Sequence, residues 1–311
     1  MLEEANMMKR LTYLAVLSLL AVVLLACTPA VVTPPPVEPT TITVVDDMGR
    51  EITLNKNPQR IVSLAPSNTE ILFAIGVLDR VVGVTDVCLF PPEAQEIPHA
   101  GTFFQPSVET IVSMKPDVVF AASLHREPVE QLDALGIPVV VLDPQTIADI
   151  LANISLIGEA VGAQAQAESV VAEILSVFAE VEAKVATVPT EQRPVVFWEV
   201  WSDPIWTAAK ATFIHELIEM AGGVNMAGDV DGTFVEYSFE MLITKDPAVI
   251  FYGHAAETVE EYLSRPNWGT IAAVQSKRVY LVDQDIVQQP GPRIGLGLME
   301  LARHIHPDLW K

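Results

Sequence analysis

The spacing of apolar residues changes several times along this chain, and each spacing predicts a different element. "TITVVDDMGREITL" (41–54) alternates apolar and polar side chains about Asp47-Met48-Gly49, the pattern of a β-hairpin. Short β-branched runs follow ("RIVSL", "VVGV", "DVVFA", "PVVVL"), interleaved with stretches of helical texture such as "SNTEILFAIG", closed by Gly76, and "EPVEQLDALG". Strands alternating with helices predict a parallel sheet covered on both faces. Residues 163–185 then contain neither glycine nor proline, and Val170, Val171, Ile174, Leu175, Phe178, Val181 and Val185 recur at helical spacing. A helix of that length spans ~35 Å. After Pro189 and Pro194 the alternation restarts with "PVVFWEV", "FIHELIEMAGG", "SFEMLITKD", "PAVIF", "VEEYLSR" and "RVYLVD", and it ends in a helix over "RIGLGLMELARHI". The expected fold class is α/β: two Rossmann-like lobes with mostly parallel sheets, 41–160 and 189–311, joined by one long α-helix within 161–188.

One phrase occurs twice. "SVETIVSMKPDVVF" (107–120) and "SFEMLITKDPAVIF" (238–251) align serine with serine, Glu109 with Glu240 and Pro116 with Pro247, each pair 131 residues apart (240 − 109). Ser107 and Ser238 are placed to cap a helix, with the glutamate in the first turn, where the helix dipole favours a carboxylate. Local physics alone makes each glutamate a good first-turn residue. One such group in each of two lobes points to a paired surface role.

The first forty residues are of another kind. Lys9-Arg10 precede an uncharged run from Leu11 to Ala26, 16 residues long and short for a membrane span. The run ends in "LLAC" (24–27), which resembles the lipobox of a bacterial lipoprotein, with Cys27 as the lipidated residue. Glu3 and Glu4 are unusual ahead of such a run, so Met7 and Met8 stand beside Met1 as possible starts. Five prolines between Thr28 and Thr41 favour extended, semi-rigid chain. The expected organisation is a signal peptide (1–26), then a lipidated cysteine and tether (27–40) holding an exported domain at the outer face of the cell membrane. The only other cysteine, Cys88, then has no partner for an intramolecular disulfide.

A net charge of −22 and a pI near 4.5 argue against nucleic-acid binding. Aromatic residues make up only 7% of the chain, yet they cluster at Phe103-Phe104 and in "FWEVWSDPIW". At least one of Phe197 and Trp198 is expected in the core. Trp201 and Trp206, around Ser202-Asp203-Pro204, are expected in a loop facing a cleft, since open α/β sheets bind ligands beyond the C-terminal ends of their strands. The histidines (99, 125, 215, 254, 304, 306) show no metal-ligand spacing, and no nucleophile or phosphate-cradle motif is present. No enzyme, metal site or cofactor is expected. The thinnest alternative is a cleft site built on Cys88 and His125, and a surface adhesion module would have no pocket at all.

"RIVSLAPSNTEILFAIG", "DVCLFPPEA", "PSVETIVSMKPDVVF", "ELIEMAGGVN" and "PGPRIGLGLMELARHIHP" together resemble the helix-linked class of periplasmic solute-binding proteins, and more narrowly the cobalamin-binding subunit of a corrinoid ABC importer. The resemblance covers roughly Thr41 to Pro307. It implies a monomeric, non-enzymatic receptor that binds a large chelate between its lobes, with the importer's permease and ATPase as partners. It also implies ligand contacts from Phe103, Trp206 and Asp285, and permease docking through Glu109 and Glu240; Phe104, Trp201, Ser67, Val87 and Ile286 complete the candidate ligand-binding set. Val87, Ala122 and Ile286-Val287 stand where the cobalamin binder has or would be expected to have aromatics. Haem and ferric-siderophore binders share most of the motifs; for haem, an axial histidine or tyrosine such as His125 or Tyr237 is the feature to test.

Overall fold

The computed structural model of the chain describes residues 7–8, 40–254 and 257–311. The expected signal peptide, Cys27 and the tether as far as Pro39 lie outside the described residues. Among the described residues no helix is long and apolar enough to cross a membrane. Residues Thr40–Lys311 form one compact unit.

That unit opens with an antiparallel hairpin, β1 (Thr41–Val45) and β2 (Glu51–Asn55), in register Thr43↔Thr53. The first lobe then runs β3 (Ile61–Ser63), α1 (Pro66–Ala74), β4 (Val81–Val84), α2 (Val108–Ser113), β5 (Val118–Ala122), α3 (Arg126–Ala134), β6 (Val139–Leu142) and α4 (Ile147–Val161). Its sheet has the order β4-β3-β5-β6, parallel throughout. All of β3 and β6 and nearly all of β5 are buried, as expected for strands covered on both faces.

Helix α4 is an addition to the sequence reading, which passed over 147–161. Thr146 caps it in a reciprocal box with Asp149, its isoleucines at 147, 150, 154 and 157 face the core, and Gly162, at φ +71°, ends it. The long helix α5 follows at Gln164–Val185 and buries Ala167, Ile174, Phe178, Val181 and Val185 along one face. It approaches α4 so closely that a Cβ on Gly158 would lie 2.4 Å from that of Ala167.

The second lobe comprises β7 (Val195–Ser202), β8 (Ile205–Ala208), α6 (Phe213–Met220), β9 (Val224–Asn225), β10 (Phe234–Glu236), α7 (Phe239–Lys245), β11 (Val249–Tyr252), α8 (Val259–Leu263), α9 (Ala272–Gln275), β12 (Val279–Leu281), α10 (Gln284–Val287) and α11 (Ile294–Ile305). The order is β10-β8-β7-β11-β12, with β9 beside the first residues of β7. β7, β9, β11 and β12 are parallel, whereas β8 runs antiparallel between β7 and β10.

The expected loop around Trp206 is corrected here. The chain turns at Asp203-Pro204 and returns as β8, pairing Trp201 with Trp206 and Ser202 with Ile205. Sheet pairing wins because Thr207 is buried and its hydroxyl donates to the Trp198 carbonyl (2.8 Å), locking the returning strand.

Candidate functional site

Both lobes present the C-terminal ends of their parallel strands to ligand-sized side chains, and the two repeated phrases sit at those ends. In the first lobe Ala100 N–H donates to the carbonyl of Val84, the last residue of β4, and Ser107 N–H donates to the Ala100 carbonyl. In the second, Tyr237 N–H donates to Ile205, which pairs with Ser202 at the end of β7. Ser107 accepts from Thr110 N–H (3.2 Å) and Ser238 from Met241 N–H (3.1 Å), so both cap their helices. Glu109 and Glu240 therefore occupy equivalent first-turn positions, one per lobe, and both are exposed.

Phe103 and Phe104 stand on a tight loop bridged by Gly101 and Pro106. Gly101 is required there: its φ is +116° and a Cβ would fall 2.6 Å from Ser107 N. Phe103 is half-buried, while Phe104 is 79% exposed and stacks edge-on against Phe103 at 5.2 Å. Val87, on the neighbouring loop, is exposed, and Ser67 is half-buried at the start of α1, facing Gly291 of the other lobe. At the second edge Trp201 is 54% exposed with its Nε1–H on the Asp203 carbonyl (3.0 Å), and Trp206 is half-buried opposite it. Phe197 and Trp198 are both fully buried core residues. Asp285 is half-buried and accepts from Gln289 (2.9 Å), whereas Ile286 packs partly against the core beneath α11.

The lobes meet in an ion pair whose carboxylate is buried and whose guanidinium is half-buried. Arg293, at the start of α11, donates twice to Glu70 of α1 (2.8 and 2.6 Å) and lies over the Phe90 ring at 4.1 Å. Burial pushes the Glu70 carboxyl above its usual range, against the pull of Arg293. Beside this pair a hollow of about 590 Å³ lies between α1, α5 and α11, walled by Phe73, Phe90, Val170, Ile174, Val177 and Leu296. None of the ligand-contact or docking residues expected from the sequence lines it.

A polar hub at the second edge was missed by sequence reasoning. Glu199, fully buried on β7, accepts from Arg265 through both oxygens (2.7 Å each), from Tyr262 Oη (2.7 Å) and from His254 Nε2 (2.8 Å). Arg265 also bonds Glu257 and stacks on Tyr262 and Trp268. The ligating atoms of Glu199, His254 and Glu257 lie within 4.8 Å of one another, but the guanidinium already supplies a positive charge there. The partners stand 55 to 66 residues from Glu199 in sequence, a distance no local pattern spans. His254 Nδ1 is buried without a partner among the described residues, with Trp201 against the ring at 6.1 Å.

The two residues named for a haem reading have these surroundings. His125 uses both ring nitrogens, with Nδ1 accepting from Ala122 N–H (3.1 Å) and Nε2–H donating to the Phe103 carbonyl (2.7 Å). Tyr237 is buried in the apolar core of the second lobe, against Phe197. Both His125 nitrogens are therefore taken, while the Tyr237 hydroxyl, without a hydrogen-bond partner among the described residues, is enclosed in the core rather than presented at the surface. The buried Cys88 thiol lies against the hydroxyls of Thr69 (3.2 Å) and Thr85 (3.3 Å), while His125 bonds Ala122 and Phe103.

The family model described as "Periplasmic binding protein" matches residues 61–286. An uncharacterized ABC transporter substrate-binding lipoprotein of Bacillus subtilis is 36% identical over 278 residues, covering 87% of each chain. A vitamin B12-binding protein of Salmonella choleraesuis is 29% identical over 248 residues, covering 78% of this chain and 88% of that protein. The solved structure of a periplasmic heme-binding protein from Roseiflexus superposes with a TM-score of 0.73 at 26% identity, covering 81% of this chain and 99% of the other.

Proposed function

Because the chain belongs to the periplasmic binding protein family and is a substrate-binding protein of an ABC transporter, we propose that it captures cobalamin or a related corrinoid between its two strand edges. It hands that ligand to a membrane permease while tethered through a lipid on Cys27. The observation that carries this reading is the chemistry of the edges. Aromatic faces (Phe103, Phe104, Trp201, Trp206) stand at both, and the nearby cations Arg265 and Arg293 are each bonded to buried carboxylates. Arg126, at the start of α3, is solvent-exposed and lies 3.9 Å from Glu130.

A corrinoid is a broad apolar ring bordered by neutral carboxamides, so it needs flat apolar contacts and hydrogen bonds rather than free cations. Burying ~200 Å² of its apolar surface contributes ~5 kcal/mol before ordering costs. Haem propionates or an anionic ferric siderophore would call for unpaired positive charge at the same edges. Glu109 and Glu240 are the permease-docking groups in this reading, one acidic side chain from each lobe.

The test is a visible-spectrum titration of the purified domain with cyanocobalamin, cobinamide and haem. Saturable spectral change and thermal stabilisation with micromolar corrinoid are expected, with haem weaker. Saturation by haem and no response to either corrinoid would replace the corrinoid reading with the haem one.

A further inference from the structure

Phe103 is held by both of its backbone groups. Its N–H donates to Asp86 Oδ1 (2.9 Å), its carbonyl accepts from His125 Nε2–H (2.7 Å), and the imidazole packs edge-on against its ring with centroids 5.4 Å apart. The other imidazole nitrogen reaches the N–H of Ala122, the last residue of β5. A carbonyl only accepts and an N–H only donates, so the ring is fixed as the neutral Nε2–H tautomer. His125 is 1% exposed, and water therefore does not substitute for these partners. The loop is closed at its base by the Gly101–Pro106 bridge and internally by Gln105 N–H on Thr102, but Thr102, Phe104 and Gln105 are exposed, so among the described residues the bonds that tie its tip to the lobe are those of Phe103 to Asp86 and His125. The imidazole thus rivets the aromatic loop to the end of a central strand.

We propose that His125 is a positioning residue for ligand recognition: as a neutral imidazole it fixes the Phe103 loop to β5, and on protonation it lets that loop go. The inference rests on the reading of Phe103 as a ligand contact. A proton on Nδ1 would face the Ala122 N–H, donor against donor, so the cation cannot keep both bonds. The ionisable groups nearby offer the cation no compensation. Asp86 meets the Phe103 N–H rather than the ring; on the helix that follows His125, exposed Arg126 lies 3.9 Å from Glu130 and exposed Glu127 accepts from Gln131. Burial holds the His125 pKa below the ordinary histidine value. The ring is therefore neutral at pH 7, its contribution is complete there, and that contribution is lost as pH falls through the lowered value.

The experiment is cyanocobalamin titration from about pH 7.5 to about pH 4.5, bracketing the histidine range, for the wild type, His125→Gln, His125→Ala, Phe103→Ala and the Phe103/His125 double alanine variant. A glutamine can accept from Ala122 N–H and donate to the Phe103 carbonyl without titrating. The wild type is expected to lose about tenfold in affinity toward acid, and His125→Ala to be about tenfold weak at pH 7, since an unpinned loop must be ordered on binding. His125→Gln should bind nearly as the wild type does, with a flat pH profile, and His125→Ala should cost less than about twofold once Phe103 is gone. A wild-type pH slope retained in His125→Gln, or an undiminished His125→Ala effect in the Phe103→Ala background, would overturn the proposal. Hydrogen exchange of the Phe103 and Phe104 amides, corrected for intrinsic rates, judges the rivet without ligand and without the alanine variants. Protection should fall in acid for the wild type and persist in His125→Gln, and equal behaviour of the two would sink the idea. A wild type that ignores cyanocobalamin yet shows the exchange difference would refute the corrinoid reading and leave the rivet standing.

Discussion

Glu199 is a carboxylate with no exposed surface, and its burial is compensated because Arg265 grips both oxygens while Tyr262 and His254 fill further acceptor positions. Replacing Arg265 with methionine keeps much of the packing on Tyr262 and Trp268 but leaves the charge unpaired. We expect a loss of about 3–5 kcal/mol in urea denaturation, since removing one partner of a buried pair strands the other. Adding Glu199→Gln to that variant should recover a substantial part of it, and no recovery would mean that shape rather than charge holds the hub. Neither residue was legible in the sequence, because a carboxylate inside a β-strand and an arginine 66 positions later form no periodic or local pattern. His125 was read only as a candidate metal ligand. Its two backbone partners come from β5 and from a loop 22 residues earlier, and only folding brings them together.

At the scale of single elements the sequence was most legible, because caps and periodicities are local. Ser107 and Ser238 cap α2 and α7 as their spacing from the following glutamate suggested. Alanine at either serine should cost about 1 kcal/mol, measured by urea denaturation, through the loss of one side-chain acceptor for an orphan helix N–H. An equal cost at both positions would fit their matching geometry. The long helix α5 was visible as well, since an unbroken apolar stripe without glycine or proline admits few alternatives. Strand β8 was not. Four residues after Asp203-Pro204 carry too little pattern to declare themselves, and their conformation is decided by the neighbour they pair with, β7. Helix α4 carried a capping box and an isoleucine stripe, signals that were present but passed over.

At the scale of the whole Thr40–Lys311 unit, a parallel sheet and a mixed, mainly parallel one share one connecting helix, and an ion pair between Glu70 and Arg293 ties the lobes together. In the proposed role the two acidic positions at the strand edges act on the transporter and not on the ligand. Glu109→Lys and Glu240→Lys should therefore leave cyanocobalamin affinity within about twofold, exposed substitutions away from a site being nearly neutral, while transport in reconstituted vesicles falls to background. Loss of ligand binding in either variant would place that glutamate in the cleft instead. The acidic repeat, the α/β alternation and the rod between the halves were all written in the order of residues, because hydrophobic period, caps and breakers act over a few positions at a time. Which side chains share a surface, which charges neutralise one another and which aromatic is held ready were decided by tertiary structure alone. Those relations join residues far apart in the chain, and only burial and long-range pairing give them an energy.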